Sequence, residues 1–217
     1  MTKKPILIVY KNLIEPINIA RKSLLEMKEK VSSHSVENIL LEAIAVFSIT
    51  RFESMISKII NPKNILEIGT YTGYSALCLA EGMQQNGKIL TIDKNEELES
   101  FSKKYFEAST FNNQIQQIIG NALEIIPTIN EKFDLVFIDA DKSNYVNYFH
   151  LIIEKMNSGG IILSDNVLWN GKVIEKLEPN DIDTEQILKY NKLLNSDTRI
   201  ETVLLPIRDG LTISRVK

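Results

Sequence analysis

From Asn64 onward, short apolar runs alternate with segments of helical pattern, and this alternation limits the possible folds more than any other feature. Five of the runs predict buried strands: Asn64–Ile68, Lys88–Asp93, Ile115–Ile119, Phe133–Asp139 and Gly160–Ser164. Helical patterns fill the intervals, near Thr72–Gly82, Glu96–Ser109, Ala122–Ile129 and Asn144–Met156. Continuous apolar strands separated by helices are typical of a parallel sheet covered on both faces. With right-handed crossovers, this order predicts a doubly wound α/β fold.

The C-terminal part of the chain has a different pattern. A helical segment after Asp183 is followed by the apolar runs Ile200–Leu205 and Gly210–Val216. Only Pro206-Ile207-Arg208-Asp209 separates these runs, which is enough for an antiparallel hairpin but not for another crossover. The sequence therefore predicts a mostly parallel, seven-stranded sheet with an antiparallel C-terminal strand.

The part of the chain before Asn64 lacks strand alternation. Helices are predicted over Ser23–Lys30 and Ser35–Ile60, and Asn61-Pro62 is expected to end the second one. We interpret residues 1–61 as a helical cap and residues 62–217 as the core of a single domain that comprises the whole chain.

Composition argues against some classes of partner. The net charge is −3 over 217 residues, so the chain lacks the basic character of proteins that bind nucleic acid in bulk. It also lacks an apolar stretch near the ~20 residues of a membrane span. The single cysteine is compatible with a reducing compartment. We expect a cytoplasmic protein that binds neither nucleic acid nor membranes.

Two glycines and an aspartate suggest a nucleoside site. Gly69 would allow a tight turn after the first strand, and Gly73 would let the backbone approach a ligand closely. Their G-x-x-x-G spacing, without a P-loop lysine, argues against NAD and nucleoside triphosphates. Asp93 ends the second strand, where it would accept hydrogen bonds from ribose hydroxyls. Each feature alone also fits a structural role, a plain turn for the glycines and a helix N-cap for Asp93. Together they predict a nucleoside that lies across the ends of the first two strands. Glu67 would lie near a charged amino-acid tail or a cationic part of the same cofactor.

Polar side chains follow two further strands. Asp139 ends the strand that begins at Phe133, Asp141 and Lys142 follow it, and Asp165-Asn166 comes after the next strand. Because parallel strands end at the same edge of a sheet, these hard oxygen ligands suggest a divalent cation site. Two alternatives stay open: Asp165-Asn166 as a simple turn, and Lys142 as a surface lysine paired with Asp141.

Taken in order, these motifs resemble those of one family. They are Leu66–Ser75, Ile92-Asp93, Phe137–Tyr145, Ser164–Gly171 and Leu205–Leu211. They are similar to the motifs of the cation-dependent O-methyltransferases of the caffeoyl-CoA and catechol type. The resemblance implies a class I methyltransferase (Rossmann-like) fold, S-adenosylmethionine as cofactor, a small vicinal-dihydroxy aromatic acceptor and a homodimer. It also implies a divalent cation, with Mg²⁺ as first choice and Mn²⁺ or Ca²⁺ compatible with the same oxygen ligands.

The resemblance further implies roles for individual residues. Contacts to S-adenosylmethionine are expected from Glu67, Gly69, Thr70, Gly73, Ser75, Asp93, Ala122, Asp139 and Asp141. The metal ligands would be Asp139, Asp165 and Asn166. Lys142 would be the general base, with Asp139 as its catalytic neighbour, and Asn170 would lie on the substrate side.

Two segments depart from the family pattern. Phe47–Glu53 contains no glycine where the family carries a Gln-Gly-Gln-like sequence, and this bears on acceptor recognition. Arg208 stands where the family has a glycine before the terminal Asp-Gly. The first departure leaves the predicted metal ligands unchanged.

The predicted reaction is methyl transfer to an acceptor hydroxyl that the cation acidifies and Lys142 deprotonates. Two alternatives use the same fold: a methyltransferase for RNA or protein, and a non-catalytic S-adenosylmethionine-binding module. An electropositive groove would favour RNA, and tight cofactor binding without turnover of any catechol would favour the module. The glycine spacing disfavours a third alternative, an NAD oxidoreductase.

Overall fold

The computed structural model describes residues 49–217, and within it Phe52–Lys217 form one compact unit. Residues 49–60 are helical (α1), and the helix ends before Asn61-Pro62 as predicted. The predicted helix Ser23–Lys30 and the predicted helix start at Ser35 lie outside the described residues. The division of the chain at residue 62 stays a prediction.

The described chain alternates strands and helices. The strands are β1 (Asn64–Ile68), β2 (Lys88–Asp93), β3 (Ile115–Ile119), β4 (Phe133–Ile138), β5 (Met156–Asp165), β6 (Ile200–Leu205) and β7 (Leu211–Val216). The helices after α1 are α2 (Tyr74–Ala80), α3 (Glu99–Ala108), α4 (Ala122–Thr128), α5 (Tyr145–Ile153) and α6 (Ile182–Ser196). Short 3₁₀ turns cover Glu96–Leu98, Lys142–Asn144 and Trp169–Ile174. Among residues 49–217, no helix has both the length and the apolar composition needed to cross a membrane.

Strands β1, β2, β3 and β6 have the predicted bounds, and the other three differ for local reasons. β4 ends at Ile138 because its neighbour β1 ends at the paired Ile68. β5 begins at Met156, which pairs with Phe133 across an irregularity in register, and the preceding helix is correspondingly shorter than predicted. β7 begins after Gly210, whose N–H closes the turn by donating to the carbonyl of Ile207 at 2.9 Å.

The strand order is β3-β2-β1-β4-β5-β7-β6. Neighbours from β3 to β5 are parallel, and β7 is antiparallel to both β5 and β6, which confirms the predicted sheet. The order reverses between β1 and β4. In open α/β sheets, ligands bind outside the carboxyl ends of the strands at such a reversal. This topology directs attention to the residues that follow β1 and β4.

One face of the sheet packs against α4, α5 and α6. The buried cluster includes Leu66, Ile68, Leu90, Ile92, Val136 and Ile138 from the sheet, and Ile126, Tyr145, Phe149, Ile187 and Tyr190 from the helices. Since successive side chains of a strand point to opposite faces, Glu67 and Thr91 lie on the other face of the sheet. The close-packed cluster gives the ends of the central strands a rigid support.

Candidate active site

Gly69 brings the turn after β1 directly against the end of β4. Its φ of +103° lies in a region that favours glycine, and its N–H donates to the carbonyl of Ile92 at 2.9 Å. A Cβ at this position would lie 2.0 Å from the carbonyl oxygen of Asp139, a backbone atom. The approach to Asp139 therefore requires glycine, and it holds the predicted cofactor turn beside the predicted metal ligands.

Gly73 also has a positive φ, +79°, and precedes α2. The space that its Cβ would occupy is taken by the ring of Phe106 on α3, 2.4 Å away. This packing explains the glycine whether or not a ligand approaches it. A direct contact of Gly73 with the cofactor stays a prediction.

Glu67 is a buried carboxyl group within a chain of hydroxyl groups. It has no exposed surface, and it accepts hydrogen bonds from Ser75 and from Thr91, its partner in the β1–β2 register. Thr70 in turn lies 2.5 Å from the Thr91 hydroxyl. Burial raises the pKa of Glu67 to about 8, although the hydroxyl groups of Ser75 and Thr91 oppose the shift. Burial thus favours the protonated form of Glu67, and a cationic ligand beside it would favour the charged form.

Asp93 links the turn after β1 to the end of β2. Its carboxylate accepts the backbone N–H of Tyr71 at 2.7 Å and that of Asn95 at 2.9 Å. The N-cap of the following 3₁₀ turn is Asn95, whose side chain accepts the N–H of Glu97. The N-cap alternative for Asp93 is therefore wrong, and its carboxylate stands at the edge of the sheet where a ribose was predicted.

Lys142 lies in the interior, with 7% of its side chain exposed. Its Nζ is 3.1 Å from Asp139 Oδ1 and 2.5 Å from the hydroxyl oxygen of Tyr145. Tyr145 is fully buried, and its hydroxyl also contacts the carbonyl oxygens of Ile138 and Asp165, at 3.2 and 2.9 Å. The alternative of a surface lysine paired with Asp141 is therefore wrong. The Tyr145 hydroxyl joins the ends of β4 and β5 and orients the ammonium group between them.

Asp141 has partners other than Lys142. The hydroxyl of Tyr148 donates to Oδ1 at 2.6 Å, the amide of Asn144 donates to Oδ2, and Lys94 Nζ lies 4.0 Å from Oδ1. Burial alone would raise the pKa of Asp141, but the hydrogen bonds from Tyr148 and Asn144 hold that pKa below its usual range. Asp141 is therefore an ionised acceptor, and its predicted place on the cofactor side stays a prediction.

Asp165, the last residue of β5, is 1% exposed. Its Oδ1 accepts the N–H of Asn166 at 2.8 Å, and its Oδ2 is 3.0 Å from Nη1 of Arg208. Burial and the nearby charge of Asp139 raise the pKa of Asp165, whereas Arg208 lowers it. Asn166 adopts a φ of +60° as the chain leaves the strand. The carboxylates of Asp139 and Asp165 are near enough to repel each other. Asp139 is paired with Lys142, and Asp165 is paired with Arg208.

Glu53 on α1 adds a further buried carboxyl group, with 1% of its surface exposed. Burial raises its pKa well above the usual range, and the charges of Glu67, Asp165 and Asp139 raise it further, while Arg208 lowers it. Within residues 49–217, its Oε2 has no hydrogen-bond partner. Glu53 is therefore a buried acidic group close enough to Asp165 to interact with it, and its burial favours the protonated form.

The predicted metal ligands fit a divalent cation by their chemistry. Asp139 follows β4, Asp165 is the last residue of the adjacent β5, and Asn166 comes next; Ile138 of β4 is in register with Ser164 of β5. Carboxylate and amide oxygens are the ligands that Mg²⁺, Mn²⁺ and Ca²⁺ prefer. The described residues contain no group of three or more His, Cys, Asp or Glu side chains arranged for a metal. The candidate site therefore consists of two carboxylates and one amide.

Two predicted site residues lie further along the same edge. Ala122 is buried and is the first residue of α4, behind the N-cap Asn121. Asn170 is exposed with a φ of +53°, and its N–H donates to Asp209 Oδ1 at 2.5 Å. The loop that carries Asn170 is thus attached to the β6–β7 turn. Their roles toward adenine and acceptor stay predictions.

Sequence reasoning assigned no role in the site to Tyr145, Thr91, Arg208 and Glu53. Thr91 had a signal, because it is a polar residue in the middle of an apolar strand. Arg208 had one too, as a departure from the glycine of the family motif. Glu53 had none, and the contact of Tyr145 with Asp165 joins two elements that are distant in the sequence.

A doubly wound sheet with an antiparallel seventh strand, and acidic residues at or next to the carboxyl ends of β1, β2, β4 and β5, define a class I methyltransferase. The profile of the O-methyltransferase family matches residues 20–217, and the chain belongs to this family. Caffeoyl-CoA O-methyltransferase 1 of Arabidopsis thaliana is 38% identical over 179 residues, covering 76% of this chain and 68% of the relative. Caffeoyl-CoA O-methyltransferase 5 of Nicotiana tabacum is also 38% identical, covering 76% and 73%.

Solved structures agree with this assignment. The O-methyltransferase of Bacillus cereus in complex with SAH has a TM-score of 0.74 and 26% identity, covering 93% of this chain and all (100%) of that one. A structure described as a putative caffeoyl-CoA O-methyltransferase from Staphylococcus aureus has a TM-score of 0.71 and 28% identity, covering 92% and 100%. The protein is an S-adenosylmethionine-dependent O-methyltransferase.

Replacing Asp93 with Ala is expected to weaken S-adenosylmethionine binding by about tenfold to hundredfold, because hydrogen bonds to a charged acceptor contribute about 1.5–3 kcal/mol. Calorimetric titration of the cofactor measures this, and metal affinity should stay unchanged. Asp134→Ala is the matched control, since Asp134 also accepts two backbone N–H groups, from Lys63 and Asn64, but at the amino ends of the strands. Equal cofactor affinity of Asp93→Ala and the wild type would show that the ribose assignment is wrong.

Proposed function

We propose that the enzyme methylates a hydroxyl group of a small, vicinal-dihydroxy aromatic acceptor with the assistance of a divalent cation. One observation carries the proposal: the buried Lys142 contacts Asp139, and both lie beside Asp165 at the carboxyl ends of β4 and β5. The names of the caffeoyl-CoA O-methyltransferase relatives support an acceptor of this kind.

Asp139, Asp165 and Asn166 would hold the cation. When bound, a divalent cation supplies Lewis-acid polarisation, which lowers the pKa of an acceptor hydroxyl. Mg²⁺ is the first choice, and Mn²⁺ or Ca²⁺ suit the same donors. Three protein ligands leave room for two acceptor oxygens in a six-coordinate shell, which favours adjacent hydroxyl groups over a single one.

Lys142 would act as the neutral amine: Nζ would take the acceptor proton and become an ammonium group, which Asp139 stabilises. The contacts of Nζ with Asp139 and with the Tyr145 hydroxyl define its position, and the burial of Tyr145 excludes water on that side. A positioned base of this kind contributes about 10²–10⁴-fold to rate. Glu67, next to Gly69, would face the cationic end of the cofactor, where the ionised form of its carboxyl is favoured. The protein would thus orient donor and acceptor for an in-line transfer.

An acceptor panel tests the proposal. The full chain is assayed for methyl transfer to catechol and to a caffeoyl thioester, beside monohydroxy analogues of each, in Mg²⁺, Mn²⁺ or Ca²⁺ and in excess chelator. We expect dihydroxy acceptors to react at least about 100-fold faster than monohydroxy ones, because the latter leave a polar position unfilled. Undiminished activity in chelator would contradict the role of the cation, and equal rates for both acceptor types would contradict recognition of adjacent hydroxyl groups. The homodimer and the cytoplasmic location stay predictions.

A further inference from the structure

Arg208 places a guanidinium group on a predicted metal ligand. Its Nη1 is 3.0 Å from Asp165 Oδ2, in an ion pair in which 2% of the Asp165 side chain and 27% of the Arg208 side chain are exposed. A buried carboxylate is stable in its charged form only when a cation or several hydrogen-bond donors compensate it. Arg208 provides that compensation from the protein itself.

The β6–β7 turn is built to hold Arg208 at this place. Its backbone is attached to the loop after β5, since Val167 N–H donates to Gly210 at 3.1 Å and Leu168 N–H donates to Asp209 at 2.8 Å. Arg208 itself has a φ of +51°, a conformation that residues other than glycine rarely adopt. Strained backbone of this kind persists where surrounding contacts impose it, and it is common at functional sites.

The guanidinium group acts on more than one carboxyl group. Arg208 also lowers the pKa of the buried Glu53, which burial and the charges of Glu67, Asp165 and Asp139 raise. Without Arg208, the acidic groups of this region would keep one cationic partner among the contacts described above, Lys142, which pairs with Asp139. Such a region attracts any available cation.

A divalent cation on Asp165 would share its ligand with this guanidinium group, and two cations at hydrogen-bond distance from one carboxylate repel each other. The Arg208 side chain is long, flexible and partly exposed, so it can leave toward solvent. We propose that Arg208 is a tethered cation that competes with the divalent cation for Asp165 and is displaced when the metal binds. The inference rests on the proposed role of Asp165 as a metal ligand.

Direct titration with Mn²⁺ tests the competition without any activity assay. Free Mn²⁺ is measured by electron paramagnetic resonance, and heats of binding by calorimetry, for the wild type, Arg208→Gln and Arg208→Gly. We expect both variants to bind Mn²⁺ about tenfold to hundredfold more tightly, the fold-change for loss of a charged hydrogen bond to the ligand. Glycine suits the backbone at this position, so Arg208→Gly should fold, and a thermal melt checks this.

Arg215→Gln is the matched control for net charge. Arg215 is an exposed arginine of β7 that lies 4.0 Å from Glu201, and its replacement should leave Mn²⁺ affinity within about twofold of the wild type because exposed charges are screened. Asp165→Asn combined with Arg208→Gln should lose the gain in affinity.

The outcomes separate this inference from the proposed function. Measurable Mn²⁺ binding that Arg208→Gln does not change, and that Asp165→Asn abolishes, would overturn the competition while supporting the metal site. An equal gain in Arg215→Gln would also overturn it, because net charge alone would then be the cause. Absence of Mn²⁺ binding at millimolar concentration in the wild type and both Arg208 variants would overturn the inference together with the cation in the proposed function.

Discussion

Replacing Lys142 with Met is expected to lower kcat by about 10²–10⁴-fold, the contribution of a positioned general base. Nζ of Lys142 is held by Asp139 and by the Tyr145 hydroxyl, and both contacts orient it at the end of β4. Methionine keeps the unbranched shape and most of the length of the side chain but cannot accept a proton. Cofactor affinity, measured by calorimetry, should change only a few-fold, so the loss should appear in kcat and not in cofactor binding.

Two further variants separate proton transfer from charge pairing at this position. Lys142→Arg keeps a cation beside Asp139, but a guanidinium group stays protonated and cannot act as a base. If Lys142 is the general base, Lys142→Arg should be nearly as inactive as Lys142→Met. If Lys142 only pairs with the charge of Asp139, Lys142→Arg should be nearly as active as the wild type. Lys172→Met is the control, since Lys172 pairs with Asp181 at 2.8 Å and half of its side chain (48%) is exposed. If Lys142→Met keeps full activity, Lys142 is not the base.

Replacing Gly69 with Ala is expected to reduce the free energy of unfolding by about 3–5 kcal/mol, a large share of the roughly 5–15 kcal/mol that holds a domain folded. Two costs combine. A side chain at a φ of +103° is strained, and the added Cβ would lie 2.0 Å from the carbonyl oxygen of Asp139. Because a backbone atom must then move, the ends of β1 and β4 should separate. Denaturant titration measures the lost stability, and the kcat of the folded fraction should fall with it.

Gly171→Ala is the matched control for the strain alone. Gly171 has a φ of +80°, but a Cβ there would have no atom within 4 Å. We expect Gly171→Ala to cost about 1–2 kcal/mol, the penalty of the left-handed conformation without a steric clash. If Gly69→Ala were no more destabilising than Gly171→Ala, the close approach of the β1 turn to Asp139 would not be important for stability.

Much of the fold could be predicted because each parallel strand is a continuous apolar run between turn residues. β1 and β2 have the predicted bounds, since most of their residues are buried and few polar residues obscure their ends. β5 was the least accurate because Met156 reads as the end of a helix, and only its pairing with Phe133 places it in the sheet. Local pattern therefore predicts a strand well, and long-range pairing corrects its ends.

The sequence predicted where the candidate site lies better than it predicted the contacts between the site residues. Asp93, Asp139 and Asp165 stand at the same edge of the sheet because parallel strands direct their carboxyl ends to one side. The partners of these residues were not predictable. Asn95 instead of Asp93 caps the turn, and Lys142 pairs with Asp139 instead of Asp141. Which of two neighbouring polar residues makes a given contact depends on the direction of its side chain. That direction changes within one or two residues where a strand passes into a turn.

The sequence by itself determined the doubly wound sheet and the presence of oxygen ligands after β4 and β5, because hydrophobic periodicity and motif order are local properties of a chain. The tertiary structure alone decided which charges meet. Tyr145 reaches the backbone of Asp165, and Arg208 reaches the Asp165 carboxylate from the β6–β7 turn. The physical reason is that Coulomb and hydrogen-bond energies depend on distance and burial in space, and the separation of two residues along the chain contains neither quantity.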